Sequence, residues 1–246
     1  MIDYFKALFS SCEPNGPQDV LSCIPTVIDD DMKGMLSQEF NEQEVVAALK
    51  KMAPLKAPGP DRMPPLFYQQ FWGTIIHDVT SSILSWLNSG ILPTPLNYTF
   101  IALIPKIHNP EYAHQFRPIS LCNELSKIYS KVLANCLKKL IPYIVTKHQS
   151  AFKKDRLISY NILVDFETLH SLQNYKSRTH CFMAIKLDMS KAYDCVDWNF
   201  LEQLMRKLGF NERWINLIIR CVKTVSYSVL VNGEPCGLIQ PTRGIR

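Results

Sequence analysis

Lys186-Leu187-Asp188-Met189-Ser190-Lys191-Ala192-Tyr193-Asp194-Cys195-Val196-Asp197-Trp198 is the stretch whose reading decides the fold. Ahead of it, residues 181 to 187 form an apolar run of strand length. Behind it, Ser190 is placed to cap a helix that turns amphipathic around Trp198, Leu201, Leu204 and Leu208. This pattern predicts that Asp188 sits where a buried strand surfaces, just ahead of a helix. A carboxylate fixed in that way suits a divalent metal engaged in phosphoryl chemistry, and Tyr193, five residues on, would flank the same pocket. Local pattern supports a plainer role equally well, in which Asp188 only helps to cap the helix and Tyr193 belongs to the core.

Further short motifs flank this stretch. Upstream come Lys56-Ala57-Pro58-Gly59-Pro60-Asp61, Leu103-Ile104-Pro105-Lys106, Phe116-Arg117-Pro118-Ile119-Ser120-Leu121-Cys122-Asn123 and Gln149-Ser150-Ala151-Phe152. Downstream comes Thr242-Arg243-Gly244-Ile245-Arg246. In kind and order these six segments resemble the motifs of reverse transcriptases from non-LTR (LINE-type) retrotransposons. One of them alone would be weak evidence, whereas six in order across most of the chain are specific. The sequence departs from the family pattern at three places. Arg62 stands where the family usually has Gly, Asp155-Arg156 where it has Gly-Arg, and Cys136 where it typically has Arg. A positive φ at position 62 would strain the turn, although the new arginine could add a phosphate contact.

The 246 residues, 47% of them hydrophobic, can bury a core in one large or two small domains. No apolar run approaches the roughly 18 residues of a membrane span. The N-terminus lacks the basic-then-apolar order of a secretory signal, so an intracellular chain, nuclear or cytoplasmic, is expected. Eight cysteines are scattered singly without a CxxC pair, which favours reduced thiols over bridges or a zinc site. Net charge is +5, unevenly divided. Residues 1 to 97 carry 6 Lys and Arg against 11 Asp and Glu, and residues 98 to 246 carry 21 against 11. The basic excess lies with the motifs and suits a phosphate-backbone partner, though charge alone also fits solvated helix faces such as Lys138-Lys139.

Taken in order, residues 1 to 40 read as a connecting segment with one or two short helices, and Asp29-Asp30-Asp31 as a helix start rather than a metal site. Asn41 with Glu44 predicts a capped helix ended by Pro54. Leu66, Phe67, Phe71, Trp72, Ile76, Ile83, Leu84 and Leu87 have the spacing of core-facing helix, ending near Gly90. Tyr98 to Pro105 and the piece through Phe116-Arg117-Pro118-Ile119 read as a strand pair. Ser126 to Leu140 and Asn161 to Leu172 read as amphipathic helices, and residues 176 to 180 as a polar loop. Gly209 closes one helix and Asn211 opens the next, and Asn232-Gly233 between two extended runs predicts a type I′ hairpin.

With the resemblance, this organisation implies an α+β, partial right-hand polymerase fold: helical fingers with a β-hairpin, and an incomplete antiparallel palm sheet. The implied division is a connecting segment at 1–40, fingers at 41–180 and a partial palm at 181–246. The resemblance also implies the roles of individual residues. Asp188 would be the catalytic carboxylate and, with the Met189 carbonyl, a ligand of Mg²⁺. Lys106 and Arg117 would hold the triphosphate, and Tyr193 would lie against the sugar and exclude ribonucleotides. Lys56, Arg156 and Arg243 would contact nucleic acid. The partners so implied are an RNA template, a DNA primer and deoxynucleotide triphosphates. In the family the remaining metal-binding carboxylates come from a downstream Tyr-x-Asp-Asp, which does not occur in these residues. The expected activity is therefore RNA-directed DNA synthesis in an intact parent, with this chain a truncated fragment inactive alone. The alternative is a non-catalytic fragment that binds RNA or a template–primer duplex.

Overall fold

The computed structural model describes residues 1–11, 17–151, 156–175 and 182–245. Its helices are α1 (Ile2–Leu8), α2 (Pro17–Ser22), α3 (Asp30–Ser37), α4 (Glu42–Lys50), α5 (Pro65–Gln70) and α6 (Trp72–Ser89), then α7 (Glu124–Leu137), α8 (Ile141–Ile144), α9 (Ile158–Asn174), α10 (Trp198–Leu208) and α11 (Glu212–Lys223). The strands are β1 (Tyr98–Pro105), β2 (Phe116–Cys122), β3 (Ser226–Val231) and β4 (Glu234–Ile239). The chain has the α+β architecture of a partial polymerase hand, with the strands in one four-stranded sheet of order β2-β1-β3-β4. The two hairpins are antiparallel, and a parallel β1–β3 pair joins them. The sheet is thus mixed rather than purely antiparallel, and the long crossover from β2 back to β3 makes the parallel pairing possible.

Local chemistry accounts for most element ends. Asn41 and Glu44 form a reciprocal capping box on α4, and the Asp29 carboxylate caps α3 by accepting from Met32 N. Gly90 and Gly209 close α6 and α10 in the left-handed conformation. The β3–β4 turn has φ 52° at Asn232 and 86° at Gly233, both left-handed as a type I′ turn requires.

Two apolar clusters form. The larger gathers Val45, Ala48 and Leu49 of α4, Ile83 and Leu87 of α6, Ile128, Tyr129 and Val132 of α7, and Trp214 and Ile215 of α11. The smaller packs Phe5 and Phe9 on Ile101, Tyr227, Val229 and Ile239, the face of the sheet that takes α1. Residues 1–40 therefore do more than connect: they carry three short helices, and the first covers the sheet. Phe71, expected in the core, is exposed instead. The six cysteines among the described residues are all free thiols.

Three expectations are corrected. Residues 182–189 are not a buried strand: they have no ladder partner, and Leu187 is 87% exposed. An apolar run on both faces is stable as a strand only with neighbours at its edges and layers over its faces. No described strand is placed to supply them. For the same reason α9 presents Ile162, Val164, Phe166 and Leu169 to solvent, its apolar side chains spread around the helix rather than on one packed face. The helix after the central motif is capped by Asp197, whose carboxylate accepts from Phe200 N, and not by Ser190, which lies in a turn. Residues 176–181, Phe152, Asp155 and Arg246 lie outside the described residues.

Arg62 has φ 56°, the left-handed region that a Cβ disfavours. Its N–H closes a turn on Gly59 O at 3.0 Å, so the conformation is imposed by the loop. Replacing Arg62 with Gly removes that strain and returns part of the gain through a freer unfolded chain. The variant should be more stable by about 0.5–1 kcal/mol in urea unfolding, and equal or lower stability would contradict the strain.

Candidate nucleotide and nucleic-acid site

The β1–β2 hairpin is built by register. Ile104 pairs with Arg117, and Lys106 N donates to Gln115 O at 2.9 Å. Side chains alternate along a strand, so Lys106 and Arg117 project on one face, one step apart. Both are exposed, and neither has an ion-pair partner among the described residues. The Lys106 ammonium donates to His114 O at 3.2 Å, which keeps it at the hairpin tip.

Behind the hairpin lies a polar lock that sequence reasoning did not identify. Asn123 Oδ1 accepts from Asp61 N at 2.9 Å, and its Nδ2 donates to Leu96 O at 2.9 Å. Asp61 Oδ2 accepts from Glu124 N at 2.6 Å, and Lys127 Nζ donates to Ala57 O and Glu124 Oε2, both at 3.1 Å. These bonds tie the Lys56–Asp61 loop to both ends of the hairpin. Glu124 is fully buried, with Oε1 unpartnered among the described residues, and burial holds its carboxyl above the ordinary range against the opposing pull of Lys127. Burial, with the charges of Asp61 and Glu124, pushes the neighbouring Tyr68 phenol up to about 12. Lys56 itself is exposed.

Around the central motif the chain is held from two directions. Ile245 N donates to Tyr193 O and Gly244 N to Val196 O, each at 2.8 Å, while Trp198 Nε1 donates to Gly244 O at 2.7 Å. The 242–245 segment thus runs along the 193–197 turn. The end of α1 braces both: Thr242 N and Arg243 N reach Phe9 O at 2.9 and 3.2 Å, and Ser11 Oγ donates to Asp197 Oδ2 at 2.7 Å. Lys191, at φ 54°, donates to the Tyr4 hydroxyl and stands 4.3 Å above that ring. The only sequence signal for this brace is the i, i+4 spacing of Phe5 and Phe9.

The expected site residues are therefore grouped unevenly. Tyr193 is braced by 242–245 and its ring is exposed. Arg243 Nε donates to Leu8 O at 2.8 Å and its charge faces Asp197, so it serves this junction. Arg156 donates to Lys147 O. Asp188 and Met189 lie on the exposed 182–189 segment. Among the described residues no group of three or more His, Cys, Asp or Glu side chains converges. With Asp188 the lone carboxylate of its segment, the donor set does not fit a two-ion Mg²⁺ centre.

Burial raises the Asp197 carboxyl, but hydrogen bonds from Phe200 N, Ser11 Oγ and Asn199 N, with the Arg243 charge, outweigh it and hold the group below the usual range. A lowered folded pKa adds stability above the unfolded value, near 3.9, that is lost as pH falls through the folded one. Asp197→Ala should cost about 1–2 kcal/mol at pH 7, and the difference from the parent should shrink below about pH 4. Urea unfolding across pH measures it, and a pH-independent difference would contradict the charged cap.

Among the described residues no helix is long and apolar enough to cross a membrane. Residues 104–242 match the model of the family described as reverse transcriptase (RNA-dependent DNA polymerase). The chain is 25% identical over 246 residues to the transposon TX1 uncharacterized 149 kDa protein of Xenopus laevis, covering 99% of this chain and 18% of that protein. It is 23% identical over 247 residues to the retrovirus-related Pol polyprotein from type-2 retrotransposable element R2DM of Drosophila melanogaster, covering 100% and 22%. It is 28% identical over 169 residues to the probable RNA-directed DNA polymerase from transposon BS of the same fly, covering 68% and 18%. The chain spans about a fifth of the length of these curated relatives. With more than half of its residues matched by the family model, the hairpin motifs and the central motif among them, this chain belongs to the reverse transcriptase family.

Proposed function

We propose that these residues form the fingers (41–180) and part of the palm (181–246) of a non-LTR retrotransposon RNA-directed DNA polymerase, which copies RNA onto a DNA primer. The observation that carries this reading is the hairpin register, which sets on one face two exposed cations that have no acidic partner among the described residues. Such a pair suits a triphosphate: the arginine fork can engage two phosphate oxygens while the lysine acts as a point charge. Tyr193, at the start of the braced turn, is the side chain proposed to contact the sugar. Lys56 is proposed to contact the template strand, Arg156 to contact nucleic acid, and Arg243 to act through the turn it steadies. Mg²⁺ is the metal such chemistry uses in the family, but Asp188 and the Met189 carbonyl alone do not make its site. No catalytic step is assigned to the metal on these residues.

The purified chain is accordingly expected to bind a labelled RNA–DNA template–primer without extending it. Lys106→Ala/Arg117→Ala should weaken binding of a deoxynucleotide triphosphate to the binary complex by at least about tenfold, since even one charge-assisted bond contributes roughly 1.5–3 kcal/mol. Equal nucleotide binding by parent and variant would remove the hairpin from the site. Mg²⁺-dependent incorporation abolished by Asp188→Asn would overturn the expectation of inactivity. A binding fragment without catalysis is the second reading, favoured by the exposed cations and the solitary Asp188.

A further inference from the structure

Lys127, Lys131 and Lys138 share one face of α7 and its C-terminal end. At 100° per residue they fall within about 40° of one another, and at 1.5 Å per residue the row is about 16 Å long. The opposite face of the helix carries Ile128, Tyr129, Val132 and Leu133 into the core, so the lysine row is held outward by packing. Lys51, at the end of α4, and Lys56 of the following loop flank it, and the bond from Lys127 Nζ to Ala57 O fixes that loop beside the helix.

Acids are turned away from this surface. Glu124 is buried beneath Lys127, and Asp61 accepts backbone N–H bonds from Glu124 and Met63. Lys51, Lys56, Lys131 and Lys138 have no ion-pair partner among the described residues. Partial burial, followed by the like charges of Lys138, Lys56 and Lys51, lowers the Lys131 ammonium from its ordinary range. Like charges gathered without counter-charge raise the energy of the free protein, and an anion laid across them lowers it.

We propose that Lys131 of α7 and Lys138 at its C-terminal end, with Lys51 and Lys56, form a second track for the phosphate backbone of a nucleic-acid strand, separate from the Lys106/Arg117 hairpin. The proposal rests on the polymerase reading for the identity of the polyanion. A strand carries one charge per about 3.4 Å of helical axis, so the step of about 10 Å from Lys131 to Lys138 spans about three phosphates. Between the lysines the same face carries Ala134, which offers nothing large and apolar to insert into a bilayer and no group to read a base edge. The track would therefore bind without sequence preference and with strong salt dependence.

Lys131→Ala/Lys138→Ala tests it, with a fluorescein-labelled 20-nucleotide RNA as probe and affinity measured across salt concentrations. Relative to the parent, the variant should bind about tenfold more weakly at low salt, and the slope of log affinity against log salt should shrink by about 1.4, two contacts at 0.7 each for a single strand. Lys131→Glu/Lys138→Glu should weaken binding further, while thermal melting shows both variants folded. Unchanged affinity and slope in both variants would overturn the track. A parent that binds the RNA but loses triphosphate binding in Lys106→Ala/Arg117→Ala would keep the polymerase reading in that event. Failure of the parent to bind the RNA at all would overturn both. Binding to phosphatidylserine vesicles in place of RNA, lost in the same lysine variants, would assign the surface to a membrane and overturn the nucleic-acid track.

Discussion

Gly59→Ala is expected to destabilise the chain by about 3 kcal/mol, the upper range for an added methyl group in a packed site. A Cβ at Gly59 would lie 2.3 Å from both C and O of Cys122 and 2.6 Å from Asn123 N. All three are main-chain atoms at the junction of β2 and α7, so no rotamer change can clear them. The loop would have to withdraw from the junction. Withdrawal breaks the bonds from Asp61 N to Asn123 Oδ1 and from Glu124 N to Asp61 Oδ2, exposing the buried Glu124 side of the lock. The same bonds hold the hairpin base, so triphosphate binding should weaken along with stability. Gly73→Ala is the matched control, because a Cβ there meets nothing within 4 Å in the helix α6. It should instead stabilise by about 0.5–1 kcal/mol, the usual helical gain of Ala over Gly. Equal unfolding midpoints for Gly59→Ala and the parent would refute the close approach.

Trp214→Ala should cost about 4 kcal/mol, in the range for truncating a fully buried large aromatic. Trp214 is 1% exposed and stacks on Phe40 at 6.0 Å with an interplanar angle of 25°. Around it, α11 is tied to the end of α3: Asn211 Nδ2 donates to Ser37 Oγ at 2.9 Å and Arg213 Nη1 to Ser37 O at 2.7 Å. Truncation therefore removes the apolar fill between two elements whose polar rims remain fixed, and the site cannot collapse around the void. The indole carries a further signature, because Nε1 is buried without a hydrogen-bond partner among the described residues. Trp214→Phe discards that N–H along with part of the ring, so relief of the orphaned donor offsets part of the lost packing. Its cost should be about 1–2 kcal/mol, at most about half that of the alanine variant. A phenylalanine variant as unstable as alanine would show that the indole N–H is not a penalty. Urea unfolding followed by tryptophan-independent circular dichroism separates the cases.

What the sequence determined by itself is local. Capping by Asn41 and Asn211, closure by Gly90 and Gly209, the Asn232-Gly233 turn, and the spans of β1 and β2 all follow from interactions among residues near in the chain. The possible strain at Arg62 was also legible, since the turn motif around it is stiff. The motif order identified the family, and a matched family model agrees. Tertiary structure alone decided the rest. The parallel β1–β3 pairing joins residues more than a hundred positions apart, and no local preference encodes that choice. Ser11 and Asn123 are ordinary polar residues in the sequence, and acquire their bracing roles only because distant N–H and carboxylate groups are brought to them. The central apolar run reads as a strand because its composition fits one, yet residues 182–189 remain unpaired. A strand is a property of a pair, stabilised by bonds to a neighbour and by burial against a layer, and neither is written in the run itself.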